Sequence, residues 1–496
     1  MQSEYFISGE KEPSNAISLQ EAFEALQALL AQNSVSTKDI DIAFQRCADA
    51  EPQADYLHRV YRDIGKLALD TRRLEMAEAF AIRSLRSLPR YGEAFKLLGL
   101  VLRAAGRREE ASICHRYGLP QSILVRWFSD QPLEWVQSDE VEDGSVTCRV
   151  AFPATSVMLT PPGQWREQRI VEFCEDTLDV LEAHTVAVTG GALWFDTFHT
   201  VLWDSKGRIV RDACRGFAEV VHGSLDRQKT HAIEGRIALL GNRNADNYYH
   251  WMNDILPALA VLENSGYPLD DIDCFVVNRL KHPFQFESLK ALGIEKDRLH
   301  YANSNSLLSA DEILVPHYGS NSLGMSQGRW NPDFLNRVFA PETKPAPTLK
   351  LYISRGSTGA RAIGNEAELI TLLESHNFQI VRAETLSIRE QAELYSAASV
   401  VLGPHGAGLS NIAFCQPGTR VIELFNAHIA PCFWAICEVM ELQHFMHFCG
   451  EYDEVARPSD TEEYHRSADS RRVSPFSVHL PDIEQVLLHA GVISSQ

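Results

Sequence analysis

"VVLGPHGAGLSNIAF", residues 400–414, passes from an apolar run through a glycine-rich turn and back into apolar residues. Ser399 to Leu402 reads as a short buried strand, and Leu409, Ile412, Ala413 and Phe414 recur at helical spacing. A strand, a tight glycine turn and a helix start put backbone N–H groups where they can face an anion. The same pattern also fits a plain glycine-cornered strand-to-helix turn around a histidine whose bonds are met within the fold.

Strands and helices alternate on both sides of this turn. Before it, "LKLYISR", "NEAELITLLESHN", "FQIVRAE" and "SIREQAELYSAA" read as strand, helix, strand and helix; after it, "TRVIELF" reads as a strand and "DIEQVLLHAGVI" as a closing helix. An earlier stretch repeats the pattern, from "GRIALLGN" (strand) and "NYYHWMNDILPALAVLENSG" (helix) through "DCFVVN", "FQFESLKALGI", "RLHYA" and "DEILVP". Alternation of this kind implies parallel α/β sheets. "APETKPAPTLK" (340–350), with Pro341, Pro345 and Pro347, reads as the linker between two such units. Upstream, "TVAVTGGALWFDTFHTVLWDSKGRIV" alternates apolar and polar residues around Gly-Gly and Asp-Ser-Lys-Gly turns, the pattern of β-hairpins. The expected organisation is a helical domain at 15–120, a first α/β half at 145–340 and a second at 345–496.

The helical part contains a repeat. Gly65, Arg73, Glu75, Ala77 and Leu85 match Gly99, Arg107, Glu109, Ala111 and Leu119, each 34 residues on. This period, with small residues where two helices must cross closely, is that of tetratricopeptide repeats, which present a face to a peptide or partner or mediate self-association. A helical cap packed on the next domain is the plainer alternative, and residues 16–58 read as one more degenerate helical pair.

With 496 residues, 45% hydrophobic and 23% charged, the chain is of ordinary globular composition, and its net charge of −20 argues against general binding to nucleic acid or anionic membranes. Ten cysteines without a CxxC pair read as reduced thiols of a cytoplasmic protein. The N-terminus lacks the charge-then-apolar pattern of a signal peptide, and no apolar run is long enough to span a bilayer. Neither GxxxxGK[ST], GxSxG, HExxH nor a zinc-spaced Cys/His cluster is present, so no metal is expected.

Ligands of open α/β sheets bind beyond the C-terminal strand ends, so the loops after residues 240, 353 and 403 should face one cleft. Arg355 directly after a strand and Arg361 six residues on suit a phosphate or diphosphate, and the "GPHGAG" turn adds donors at another strand end. Asn365 is an N-cap or a ligand contact. Glu423, after "RVIEL", suits sugar hydroxyls or a neighbouring arginine. On a helix His250 and Asp254 stand i, i+4 on one face, with Asn247 a turn earlier. A carboxylate beside an imidazole orients it and raises its basicity, as a general base requires; a local helix-supporting pair is the alternative.

Taken in order, "NADNYYHWMNDILPAL", "LYISRGSTGARAIGNEAEL", "LSIREQAELYSAASVVLGPHGAGLSN" and "RVIELF" resemble glycosyltransferase family 61, the DUF563 group. The resemblance covers roughly residues 235–426. It implies a GT-B fold of two facing Rossmann-like domains and an inverting, metal-independent transfer of a GlcNAc- or pentose-type sugar. The donor would be a nucleotide sugar, UDP-linked, with no other cofactor, and the acceptor a hydroxyl of a glycan or protein, as in polysaccharide biosynthesis or protein glycosylation. By analogy Arg355, Arg361, Asn365, His405, Gly406, Ala407, Gly408, Asn411 and Glu423 bind the donor, and His250 or Asp254 is the base, His250 being preferred. Members working in the secretory lumen carry an anchor or signal, which is not visible here. A non-catalytic scaffold acting through the repeats, and a nucleotide-sugar-modifying enzyme, are the competing readings.

Overall fold

The computed structural model describes residues 18–32, 36–50, 56–128, 133–166, 176–196, 198–223, 229–242, 244–302, 307–318, 328–356, 361–426, 430–449 and 475–494. Ser357–Ala360 of the arginine-bearing motif and Arg243 therefore lie outside the described residues. The chain divides into two units, Met1–Leu133 with Thr197–Val201 and Cys214–Lys229, and Glu134–Asp196 with Leu202–Ala213 and Thr230–Gln496.

In the first unit helices run Leu19–Leu30, Thr37–Asp49, Leu57–Asp70, Leu74–Ser87, Gly92–Ala104, Arg108–His115 and Gln121–Phe128. Ser18 starts the first with a capping box closed by Glu21, and Ser36 caps the second. The residues that repeat in sequence occupy equivalent places. Arg73 and Arg107 precede their helices, Glu75 and Glu109 lie in the first turns where the helix dipole favours an acid, and Ala77 and Ala111 are buried. Gly65 and Gly99 sit where a helix crosses a neighbour. A Cβ on Gly65 would lie 2.8 Å from Leu97 Cδ2, and one on Gly99 would lie 3.0 Å from His115 Cε1 and 3.3 Å from the Ala111 carbonyl.

The second unit is mixed α/β. Its first large sheet uses β1 (Val146–Phe152), β2 (Ala183–Thr189), β3 (Arg236–Leu239), β4 (Cys274–Val277), β5 (Leu299–Tyr301) and β6 (Glu312–Tyr318) in the spatial order β5-β4-β3-β6-β2-β1. The four successive strands from β5 to β6 are parallel, and β2 and β1 extend the sheet antiparallel beyond β6. A second sheet uses β7 (Leu349–Ile353), β8 (Phe378–Val381), β9 (Ala398–Pro404), β10 (Arg420–Phe425) and β11 (Gln443–Phe448), all parallel, in the order β8-β7-β9-β10-β11. β9 and β10 are buried almost throughout, which explains their near-continuous apolar runs. The sheets are tied by Tyr248 to Asn411, by Asn336 Nδ2 donating to the Ala413 carbonyl at 2.7 Å, and by the Ile388 N–H donating to Glu287 at 2.8 Å.

Three expectations change. The Gly190-Gly191 turn does not close a hairpin, because β2 and Ala192–Phe195 belong to different sheets; only the Asp204–Gly207 turn joins antiparallel partners, with Trp203 opposite Ile209. A Cβ on Gly191 would lie 2.3 Å from the Trp203 carbonyl, so this glycine serves a close crossing. Ala407–Phe414 is a 3₁₀ helix, not an α-helix, with Leu409 to Phe414 buried on every side. The helix expected from Asn247 is interrupted by a π turn at Trp251–Ile255, where the Leu256 N–H reaches the Trp251 carbonyl and Pro257 has no N–H to continue the α-helical ladder. Trp330–Phe339, Cys432–Val439 and β11 were not read from the sequence; their short apolar runs fit helix and strand equally well.

Candidate functional site

Numbered within its own sheet, the second parallel sheet has the order 2-1-3-4-5, whose switch point opens a crevice beyond the ends of its first and third strands. Those strands are β7, which leads into Ser354 and Arg355, and β9, which leads into His405 and Gly406. Arg355 crosses the crevice, its Nη1 donating to the His405 carbonyl at 3.0 Å. A Cβ on Gly406 would lie 2.1 Å from that Nη1, so the turn carries glycine to admit the guanidinium. Gly408 packs on Ile353 in the same way, at 3.1 Å. Burial, together with the neighbouring Arg361, lowers the Arg355 pKa to about 10, and it remains a cation at neutral pH. Arg361 adopts a left-handed backbone at φ 57. Burial lowers its pKa while Cys432 and Glu423 oppose the shift, and its Nε is buried with no hydrogen-bond partner among the described residues.

His405 and Glu423 do not present themselves as expected. Glu423 is fully buried inside β10, one oxygen 2.5 Å from His405 Nδ1 and the other 3.0 Å from His444 Nε2 on β11. Gly403 pairs with Glu423 and Glu423 with Met446, so strand register brings the three side chains together. Glu423 therefore does not reach sugar hydroxyls. The His405 ring stacks on Phe425 with centroids 5.3 Å apart, and burial first, then Arg361 and Arg355, lower its pKa to about 3. With Nδ1 engaged by Glu423, the buried ring helps to hold the turn in place.

Two further predicted contacts are structural. Asn411 is wholly buried, accepting from Tyr248 Oη at 2.8 Å and donating to Gln391 at 2.6 Å. Asn365 has no side-chain cap bond; its amide donates to the Val478 carbonyl at 2.9 Å and accepts from the Val478 N–H at 3.0 Å.

The segment after β3 reaches the far side of the crevice through Tyr248. Asn247 caps the helix start by accepting from the Tyr249 N–H at 2.9 Å. His250 Nδ1 lies 2.6 Å from Asp254 Oδ2, and the side chains are 32% and 23% exposed, so the pair is open to solvent where His405 is not. The carboxylate holds the ring proton on Nδ1 and leaves the Nε2 lone pair available.

A cavity of ≈ 670 Å³ lies between the two sheets. Arg355, Gly406, Ala407 and Gly408 line it together with Tyr248, Phe284 and Glu384. His250 and Asp254 are outside its lining. The Tyr249 ring meets Phe433 edge-on at 5.6 Å, and Phe433 lies 5.3 Å from His405. Sequence reasoning passed over Tyr248, Tyr249 and Phe433, although the aromatic pair directly before His250 was a usable signal.

Residues 248–422 match the glycosyltransferase 61 family model. Curated relatives include the EGF domain-specific O-linked N-acetylglucosamine transferase of Drosophila melanogaster, 26% identical over 167 residues, or 31% of each chain. The protein O-linked-mannose beta-1,4-N-acetylglucosaminyltransferase 2 of Takifugu rubripes is 37% identical over 97 residues, 18% of this chain and 16% of the relative. Its counterpart from Tetraodon nigroviridis is 38% identical over 86 residues, 16% of this chain and 14% of the relative. The matched stretch thus spans under a third of these relatives' length.

Proposed function

We propose that the chain is an inverting, metal-independent glycosyltransferase of GT-B type. It takes a UDP-linked sugar of the N-acetylglucosamine class, by analogy with the named relatives, and transfers it to a hydroxyl of a glycan or protein. The observation that supports this reading is Arg355 at the switch point, against a glycine cut away to admit it, with Arg361 near enough to lower its pKa. Two partly buried cations side by side repel, and a bound diphosphate relieves both. As the sugar–phosphate bond breaks, the leaving diphosphate gains charge that the two guanidinium groups and the N–H groups of the Gly406–Gly408 turn stabilise. On the opposite face, His250 Nε2 accepts the proton of the acceptor hydroxyl while Asp254 holds the ring. The acceptor oxygen bonds to the anomeric carbon, and the nucleoside diphosphate leaves with the electron pair.

Further parts of the reading rest on other observations. The matching helix crossings at Gly65 and Gly99 support tetratricopeptide-type packing, which would dock a protein partner or a second copy. No described helix is long and apolar enough to cross a membrane. The nine described cysteines are free thiols, which suits a reducing, cytoplasmic setting.

The test is a thermal-shift panel of UDP-, GDP-, dTDP- and CMP-sugars on the wild type and on Arg355→Ala and Arg361→Ala. The expected result is stabilisation by the UDP series that both substitutions abolish. Stabilisation that survives both removes the diphosphate clamp, and no shift with any donor favours the scaffold reading. Anomeric configuration of the product by NMR then separates inversion from retention.

A further inference from the structure

One face of the β1-β2-β6 edge changes character along its length. Val146, Val188 and Ile313 share a row, as do Val186 and Val315, and all are buried in one aliphatic core. Cys148 stands opposite Val186, while His184 stands opposite Val150 and His317. Cys148 and His184 are therefore diagonal neighbours on the same face. Asp212 approaches from the 3₁₀ turn Arg211–Ala213, whose Ala213 is buried in that core. The Ser138 N–H donates to Asp212 Oδ1 at 3.0 Å and its hydroxyl donates to Oδ2, which orients the carboxylate and leaves lone pairs on both oxygens.

The thiol, imidazole and carboxylate ligand atoms all lie within 4.8 Å of one another. Both ring nitrogens of His184 are buried and without a hydrogen-bond partner among the described residues, an arrangement that costs free energy unless something else is bound. The Glu182 carboxylate lies 3.5 Å from His184 Nδ1, an outer anion close enough to favour a cation held at the ring. Asp212, Glu182 and Asp139 surround the Cys148 thiol with negative charge.

We propose that Cys148, His184 and Asp212 form a zinc-binding site. Sulfur, nitrogen and oxygen donors together suit Zn²⁺, and three protein ligands leave a fourth position for water. Tetrahedral zinc holds its donors about 3.5 Å apart, so binding would draw the three side chains closer together. Binding would displace the thiol proton, which makes retention pH-dependent. The ion would pin the β1–β2 edge to the Arg211–Ala213 turn, away from the residues assigned to the transfer reaction.

The full chain, stripped with a chelator, is reloaded with Zn²⁺ and freed of excess. Metal content and competition with a chromophoric chelator are then measured. Wild type should retain one zinc per chain more than Cys148→Ser or Asp212→Asn, and Glu182→Gln should weaken retention by about tenfold. Cys148 is exposed, so Cys148→Ser should fold, which circular dichroism of the metal-free protein checks. Equal zinc in wild type and Cys148→Ser, or none in wild type, overturns the site.

Discussion

Two pairs in the molecule set an imidazole Nδ1 against a carboxylate at 2.5–2.6 Å and are built in opposite ways. His250 and Asp254 meet within one helical turn, partly open to solvent. His405 and Glu423 meet across adjacent strands, their side chains 7% and 0% exposed, with His444 on the carboxylate's other oxygen. An open pair can exchange a proton with a bound hydroxyl. A sealed pair can only hold a backbone turn in position. Identical partners thus serve different purposes, and burial decides which.

The largest expected effect tests the open pair. His250→Ala should lower kcat by about 10²- to 10⁴-fold, the usual worth of a general base, with little change in donor KM. A fall in stability without loss of kcat would erase the distinction drawn above. For the sealed pair the readout reverses: Glu423→Ala takes the shared carboxylate from two buried histidines and should cost about 1–3 kcal/mol for each hydrogen bond lost, read by urea unfolding.

Between these lies the clamp. Arg355→Ala should reduce kcat by about 10²- to 10³-fold. Gly406→Ala, which displaces the guanidinium without removing it, should cost up to about 100-fold through misplacement alone. Full activity in Gly406→Ala would show that Arg355 need not lie against the turn.

The smallest effect is in pH. The folded pKa of His405, about 3, lies below its ordinary 6.5, so the unfolded chain takes up the proton first. Stability from this group is present above pH 6.5 and lost as pH falls toward 3, at up to about 1.4 kcal/mol per pH unit. Glu423 acts with the opposite sign, because burial raises its pKa and its contribution is lost as pH rises. Urea unfolding of wild type and His405→Asn at pH 7 and pH 4.5 separates the two, and the variant should lose less on acidification.

How much could be read in advance follows from distance along the chain. The His250–Asp254 pair, the Asn247 cap and the strand-to-helix alternation are local, and spacing exposes them. The bonds that hold Glu423, Asn411 and Asn365 within the fold were not legible, because each depends on a partner far away. Glu423 looked like a cleft residue because an acid near a strand end commonly faces ligand; here the register turns it inward to His444, on a strand whose short run, "QHFMHF", was not recognised. Asn411 and Asn365 are engaged by Tyr248 and Val478, 163 and 113 residues distant.

Periodicity and composition determined by themselves that helices precede an α/β region with alternating strands, and that arginines and a glycine turn stand at strand ends. Those features arise from neighbours a few residues apart, which the chain carries as spacing. Tertiary structure alone decided which strands are adjacent, and so which polar groups are sealed and which are open. It alone brought Cys148, His184 and Asp212 together, since side-chain direction follows from register, and register is settled only when the sheets pack.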